Sequence, residues 1–122
     1  MRVIVAGGRD FDNYNLLATE LNKIFTDLKS IEIVSGNARG ADKMGEVYAK
    51  SRNYKLSIFK ADWSGEGKKA GMLRNIKMAK YADSLVAFWD GSSRGTKHMI
   101  DYATKVGLNV KVIIYNVSEL NK

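Results

Sequence analysis

Cysteine and proline are both absent from this chain, and histidine occurs once, as His98. Without cysteine there is no disulfide scaffold, no thiolate zinc site and no cysteine nucleophile. A lone histidine removes a His-rich metal cluster as well, so neither a metal nor a cofactor is expected. Long hydrophobic runs are also missing. The first apolar run, Val3-Ile4-Val5-Ala6, breaks at Gly7-Gly8. That is too short for a signal-peptide core and far below the roughly 20 apolar residues of a membrane span. These absences predict a soluble, cytoplasmic protein with no membrane partner.

What is present suits one domain. The chain has 122 residues, 45% of them hydrophobic, enough for a continuous core, so residues 1–122 are read as a single domain. Twenty Lys and Arg against thirteen Asp and Glu leave a net charge of +7. That balance suits anionic partners, whether nucleic acid, a membrane surface or phosphorylated small molecules, and equally a plain lysine-rich soluble surface.

Five strand-like runs alternate with four helix-like segments. The strands are Val3–Ala6, Ile31–Val34, Tyr54–Phe59, Ser84–Phe88 and Val110–Tyr115. The first helix is expected from Asn13 to Lys29, capped by Asp12 or Asn13, with Leu17, Leu21, Ile24 and Leu28 as its apolar stripe. A second begins near Ala41 and buries Met44, Val47 and Tyr48. A third, Gly71–Tyr81, buries Met72, Ile76 and Ala79, and a fourth runs from Gly95 to Val106. The glycine- and lysine-containing stretch from Asp62 to Ala70 reads as a mobile loop. Strict alternation with short connections predicts an α/β fold, a parallel sheet with helices on both faces. No repeat or linker interrupts it, and the Asn116-Val117-Ser118 sequon carries no meaning in an intracellular protein.

In such a sheet, ligands bind beyond the carboxyl ends of the strands, where the strand order reverses. Gly7 and Gly8 follow the first strand, Gly36 and Gly40 the second, Gly91 and Gly95 the fourth. Each lets backbone approach a ligand closely, and a helix start offers free N–H groups to an anion. The loop Trp89-Asp90-Gly91-Ser92-Ser93-Arg94-Gly95-Thr96 is the leading phosphate candidate, the alternative being an ordinary serine-capped turn. In Ser35-Gly36-Asn37-Ala38-Arg39-Gly40-Ala41-Asp42, Arg39 suits a phosphate. Asp42 suits ribose hydroxyls, or simply the positive end of a helix. Asp10, after Arg9, has the same two readings. Trp63 and Trp89 lie in loops at this edge, suited to stacking on a base or to plain packing. Gly65-Glu66-Gly67-Lys68-Lys69-Ala70 has dinucleotide-fingerprint spacing but follows the wrong strand, and no P-loop motif occurs. His98 reads as a surface residue and Met99 as core.

These residues resemble a known superfamily. Val34 to Asp42 is similar to the S-G-x-A-x-G-x-D motif of the Rossmann-like domain in DNA-processing protein A. Met72-Leu73-Arg74-Asn75, with Gly95-Thr96, resembles the M-x-x-R and P-G-G-x-G-T-x-x-E motifs of the lonely-guy phosphoribohydrolases. Both belong to the SLOG superfamily. Gly7 to Phe11, Ala61-Asp62-Trp63, Ala70-Gly71, Arg74-Asn75, Met78 and Gly95-Thr96 together resemble its YspA-like, YpsA-related branch, from Val3 to about Ile114. The resemblance implies a Rossmann-like three-layer sandwich with a five-stranded parallel sheet of order 3-2-1-4-5. It also implies a nucleotide-type ligand and a homo-oligomer, dimer or larger. Arg74 matches the hydrolases' catalytic arginine, so it is the one catalytic candidate. Met99 stands where they carry glutamate, and Asp101 and Glu46 are the alternative carboxylates. Losing that carboxylate removes the group that would activate water or stabilise an oxocarbenium. The expected function is therefore binding of a nucleotide-derived small molecule, with Arg39, Arg74, Asn75 and the Ser92–Thr96 loop among the ligand contacts. The alternatives are N-glycosidic cleavage of a nucleoside monophosphate and single-stranded nucleic-acid binding.

Overall fold

A computed structural model describes residues 1–26 and 30–115. Five strands, β1 (Arg2–Gly7), β2 (Glu32–Ser35), β3 (Lys55–Ile58), β4 (Ser84–Trp89) and β5 (Asn109–Ile114), form one sheet of order β3-β2-β1-β4-β5. Every neighbouring pair is parallel, with Ile4 beside both Val34 and Leu85. The order reverses between β1 and β4. The chain runs outward from β1 to β3, then crosses back to β4 and β5.

Alternation along each strand builds the two faces of the core. Val3 and Val5 point to one side and pack with Leu17 and Leu21 of α1 (Tyr14–Ile24) and Tyr48 of α2 (Ala41–Ser51). Ile4 and Ala6 point to the other, against Met78 of α4 (Ala70–Tyr81) and Met99 of α5 (Arg94–Lys105). The three-layer Rossmann-like sandwich is thus formed as expected. Among the described residues, no helix is long and apolar enough to cross a membrane.

Several details differ from the sequence expectation. Asn13 caps α1 by accepting the Leu16 N–H at 3.0 Å, but the helix ends at Ile24. Phe25 there turns into an aromatic cluster with Tyr48 and Tyr54. The expected extension through Leu28 to Lys29 falls partly outside the described residues, as does the sequon at Asn116. Helix α2 buries Ala41, Gly45, Tyr48 and Ala49, while Val47 is 56% exposed. Gly45 lies flat on Val5, where a Cβ would come within 2.9 Å of the valine side chain. The small residues therefore set the contact face, and the valine is turned outward. In α4, Met72 is 52% exposed because the helix turns Asn75, Met78 and Ala79 inward. The stretch expected as a mobile loop is ordered as a short helix, α3 (Trp63–Glu66), followed by a 3-10 turn (Gly67–Lys69). Asp62 starts it by accepting the Gly65 N–H at 3.0 Å.

Candidate functional site

The carboxyl ends of β1, β2 and β4 open into a cleft at the point where strand order reverses. Its floor is built from interlocked backbone. The Gly8 N–H donates to the Phe88 carbonyl at 3.2 Å, tying the exit of β1 to β4. The Gly8 carbonyl then accepts from both Phe11 and Ala41 N–H groups, at 3.3 and 3.2 Å. Gly40, at φ +77°, closes the turn before α2, and any Cβ there would run into the Gly8 carbonyl oxygen. Only glycine satisfies both the positive φ and the approach. Asp10 is held from behind, where the buried Tyr115 hydroxyl donates to its Oδ1 at 2.9 Å.

Asp42 and Arg74 face each other at the centre. Asp42 sits in the first turn of α2, 4% exposed, and its Oδ2 accepts the Ala38 N–H at 3.2 Å. Burial pushes its carboxyl up to about 6, with Glu46 adding repulsion, against the opposing pull of the Ala38 N–H and Arg74. Arg74 reaches from α4 to donate to the Gly36 carbonyl at 3.0 Å. Burial lowers its guanidinium from the ordinary value, Asp42 raises it and Arg9 lowers it again. It stays protonated, since arginine does not lose its charge in proteins. Gly36 leaves the room these two need: a Cβ there would lie 2.9 Å from Asp42 Oδ2 and 3.0 Å from Arg74 Nε. Asn75, 4% exposed, links α4 to α5 through the Gly95 carbonyl at 3.3 Å and His98 Nδ1 at 3.1 Å.

The loop after β4 is organised by a carboxylate. Asp90 Oδ1 accepts the N–H groups of Ser92 and Ser93 at 2.9 and 2.8 Å. Those two bonds hold its carboxyl below the usual range. The same two amides are therefore already occupied. The first-turn amides of α5 have no side-chain cap, and the Ser93 and Thr96 hydroxyls lie 3.1 Å apart beside them.

The main cavity has a volume of about 550 Å³. Gly7, Gly8, Arg9, Asp10, Arg39, Asp42, Arg74, Asn75, Asp90, Ser93, Gly95 and Thr96 line it, so twelve of the residues singled out from sequence converge there. A second chamber of about 340 Å³ adjoins it and shares Arg9, Ala38, Arg39 and Arg74. Gly36 and Trp63 line this second chamber. Ser35, Gly40, Gly91 and Ser92 line neither. Ser35 and Gly40 shape the floor from below, while Gly91 and Ser92 are exposed at the rim. Arg94 is exposed at the start of α5, and it too lies outside both chambers.

The structure also adds lining residues that the sequence did not assign as ligand contacts. Met78 and Met99 form the apolar base of the main cavity, and Lys60 and Ala61 wall the second. Lys60 follows β3, so applying the strand-end rule to that strand as well would have found it. The two alternative carboxylates lie elsewhere. Glu46 is tied down by the Ser35 hydroxyl at 2.7 Å and the Asn37 amide at 2.9 Å. Asp101 is exposed and paired with Lys97 at 2.7 Å. The tryptophans separate as well. Trp63 is 53% exposed, whereas Trp89 is partly buried and donates to the Ser93 carbonyl at 3.1 Å.

A parallel sheet of this order, with glycine loops meeting at its switch point, defines a nucleotide-related Rossmann-like α/β domain. Residues 1–65 match the YspA, cpYpsA-related SLOG family, and the chain belongs to that family. It is also similar to the Gene 61 protein of Mycobacterium phage D29. The two are 36% identical over 119 residues, covering 89% of this chain and 93% of that protein.

Proposed function

We propose that the main cavity binds a nucleotide or nucleotide-derived small molecule. The observation that carries this reading is the meeting, in one cleft at the switch point, of three arginines and three aspartates. Arg9, Arg39 and Arg74 share its wall with Asp10, Asp42 and Asp90. Guanidinium groups match phosphate oxygens, and carboxylates accept vicinal ribose hydroxyls. The uncapped first turn of α5 adds backbone donors beside Ser93 and Thr96 for the phosphate.

A mixture of nucleotides, cyclic dinucleotides and ADP-ribose derivatives incubated with the protein, then separated by ultrafiltration and mass spectrometry, tests the reading. One compound is expected to be retained intact. For that compound, Arg74→Ala lowers affinity about tenfold or more and Thr96→Val less, as charged and neutral hydrogen bonds differ. Unchanged affinity in both variants would refute the site.

N-glycosidic cleavage is a second reading, and Asp42 is what favours it. A buried carboxyl near 6, lining the cavity beside Arg74, is suited to moving a proton close to neutral pH. Free base and ribose phosphate in the same experiment would put this reading first.

A further inference from the structure

The two chambers differ in charge. In the main cavity the three arginines are matched by three aspartates. The second chamber is walled by Arg9, Arg39, Arg74 and Lys60, with no carboxylate among its lining residues. The arginines are shared with the main cavity and its aspartates, so Lys60 is the cation that this chamber adds, and that excess favours an anion there. Beside it stands Trp63, 53% exposed. Its indole rests on α4 at Gly71, where an added Cβ would come within 3.3 Å of Trp63 Cη2. The ring is therefore braced where α4 carries no side chain, and about half of the residue stays exposed. Among the described residues it makes no stacking pair with another aromatic ring.

From this arrangement we infer that the site takes a two-part ligand of the dinucleotide class. One nucleoside phosphate fills the main cavity, and a second phosphate crosses the shared arginines to Lys60. The second base then stacks on Trp63. The inference rests on the reading of the main cavity as a nucleotide site and extends it into the adjoining chamber. The shared arginines border both chambers, and the diphosphate bridge is the part of such a ligand that needs them. An oligonucleotide also carries successive phosphates and bases, and the test below separates it from a compact ligand.

The test compares AMP, ADP, diadenosine 5′,5′-diphosphate and a single-stranded oligonucleotide by calorimetry on the full chain, with Lys60→Ala, Trp63→Phe and Trp63→Ala variants. Both side chains are exposed, so the variants are expected to fold, and melting temperatures check this. ADP is expected to bind more tightly than AMP, and diadenosine diphosphate about tenfold more tightly again, the scale of one base stacked on an aromatic ring. Trp63→Ala removes that last gain, Trp63→Phe keeps most of it, and Lys60→Ala removes the gain from the second phosphate. AMP affinity stays the same in all three.

Equal binding of AMP and diadenosine diphosphate overturns the two-part ligand while leaving the main cavity as a mononucleotide site. Equal losses for AMP and diadenosine diphosphate in Trp63→Ala overturn it too, because the tryptophan then acts on the main cavity. Tighter binding of a single-stranded oligonucleotide than of diadenosine diphosphate replaces it with a strand-binding groove. If no nucleotide binds at all, the reading of the main cavity fails first and this one with it.

Discussion

Asp42 is the residue whose surroundings conflict most with its charge. Its folded-state carboxyl lies near 6 against an ordinary 3.8. A raised folded value means that its contribution to stability is fully present below the unfolded value and is lost as pH rises through the folded one. The shift corresponds to on the order of 3 kcal/mol. Wild type and Asp42→Asn are therefore expected to diverge with pH in urea unfolding. The difference, wild type minus variant, should fall between about pH 4 and pH 6.5 and then level off. A difference that is flat or rises over that window would show that Asp42 is not desolvated as the fold places it. Asp90 works in the opposite sense, since its lowered carboxyl stabilises above its unfolded value and is lost on acidification. Taking the difference between two proteins that both keep Asp90 cancels it. Asp42 could be singled out from its motif, but its burial could not. Gly36 and Arg74, which enclose it, are 38 positions apart in the chain.

Among the elements, the turn between β2 and α2 is where local sequence and tertiary contact agree most closely. Glycine at position 40 was readable as a loop residue, yet its reason lies in the neighbouring loop. The Gly8 carbonyl passes directly over it while accepting the Ala41 N–H. Gly40→Ala is expected to cost at least about 2 kcal/mol in chemical denaturation, the scale of one strained positive-φ residue, with the collision at the Gly8 carbonyl adding to it. It should also weaken nucleotide binding, because the β1 loop that carries Arg9 and Asp10 moves with it. A variant as stable as wild type would show that the two loops are not interlocked. Helix faces were less legible than helix positions. Apolar spacing pointed to Val47 and Met72, whereas Gly45 and Asn75 face inward. A glycine laid on Val5 and an asparagine bonded to the Gly95 carbonyl satisfy their surroundings without adding apolar character, so a hydrophobic pattern misses them.

For the whole molecule, the +7 charge must be set against where the charges lie. Arg9, Arg39, Arg74 and Lys60 gather at one cleft, while Lys97, Lys111 and Lys55 pair with Asp101, Glu20 and Glu32 elsewhere. Of these, Lys97–Asp101 is exposed on both sides, and a pair of that kind adds little stability. A compact ligand bearing one or two phosphates is expected to show a shallow dependence of affinity on salt. A strand neutralised by four cations would give a slope of about −3 on logarithmic axes. Titration of the retained ligand from 50 to 300 mM salt distinguishes them, and a slope that steep would move the function toward nucleic acid.

The sequence by itself determined the order of elements and the edge at which the cavity opens. Strand alternation, helix periodicity and glycine after the first, second and fourth strands are local properties, and parallel crossovers allow few arrangements of them. Thus the cap could be narrowed to Asp12 or Asn13, and Arg39, Arg74 and Thr96 could be placed at one edge, from spacing and motif alone. Only the tertiary structure decided which of those groups share a chamber and what charge each chamber keeps. It set Asp90 on the amides of Ser92 and Ser93, and it withdrew Glu46 behind Ser35 and Asn37. It also brought Lys60 and Trp63 up to the arginines. Desolvation and Coulomb interaction depend on distance through space, which chain separation does not encode.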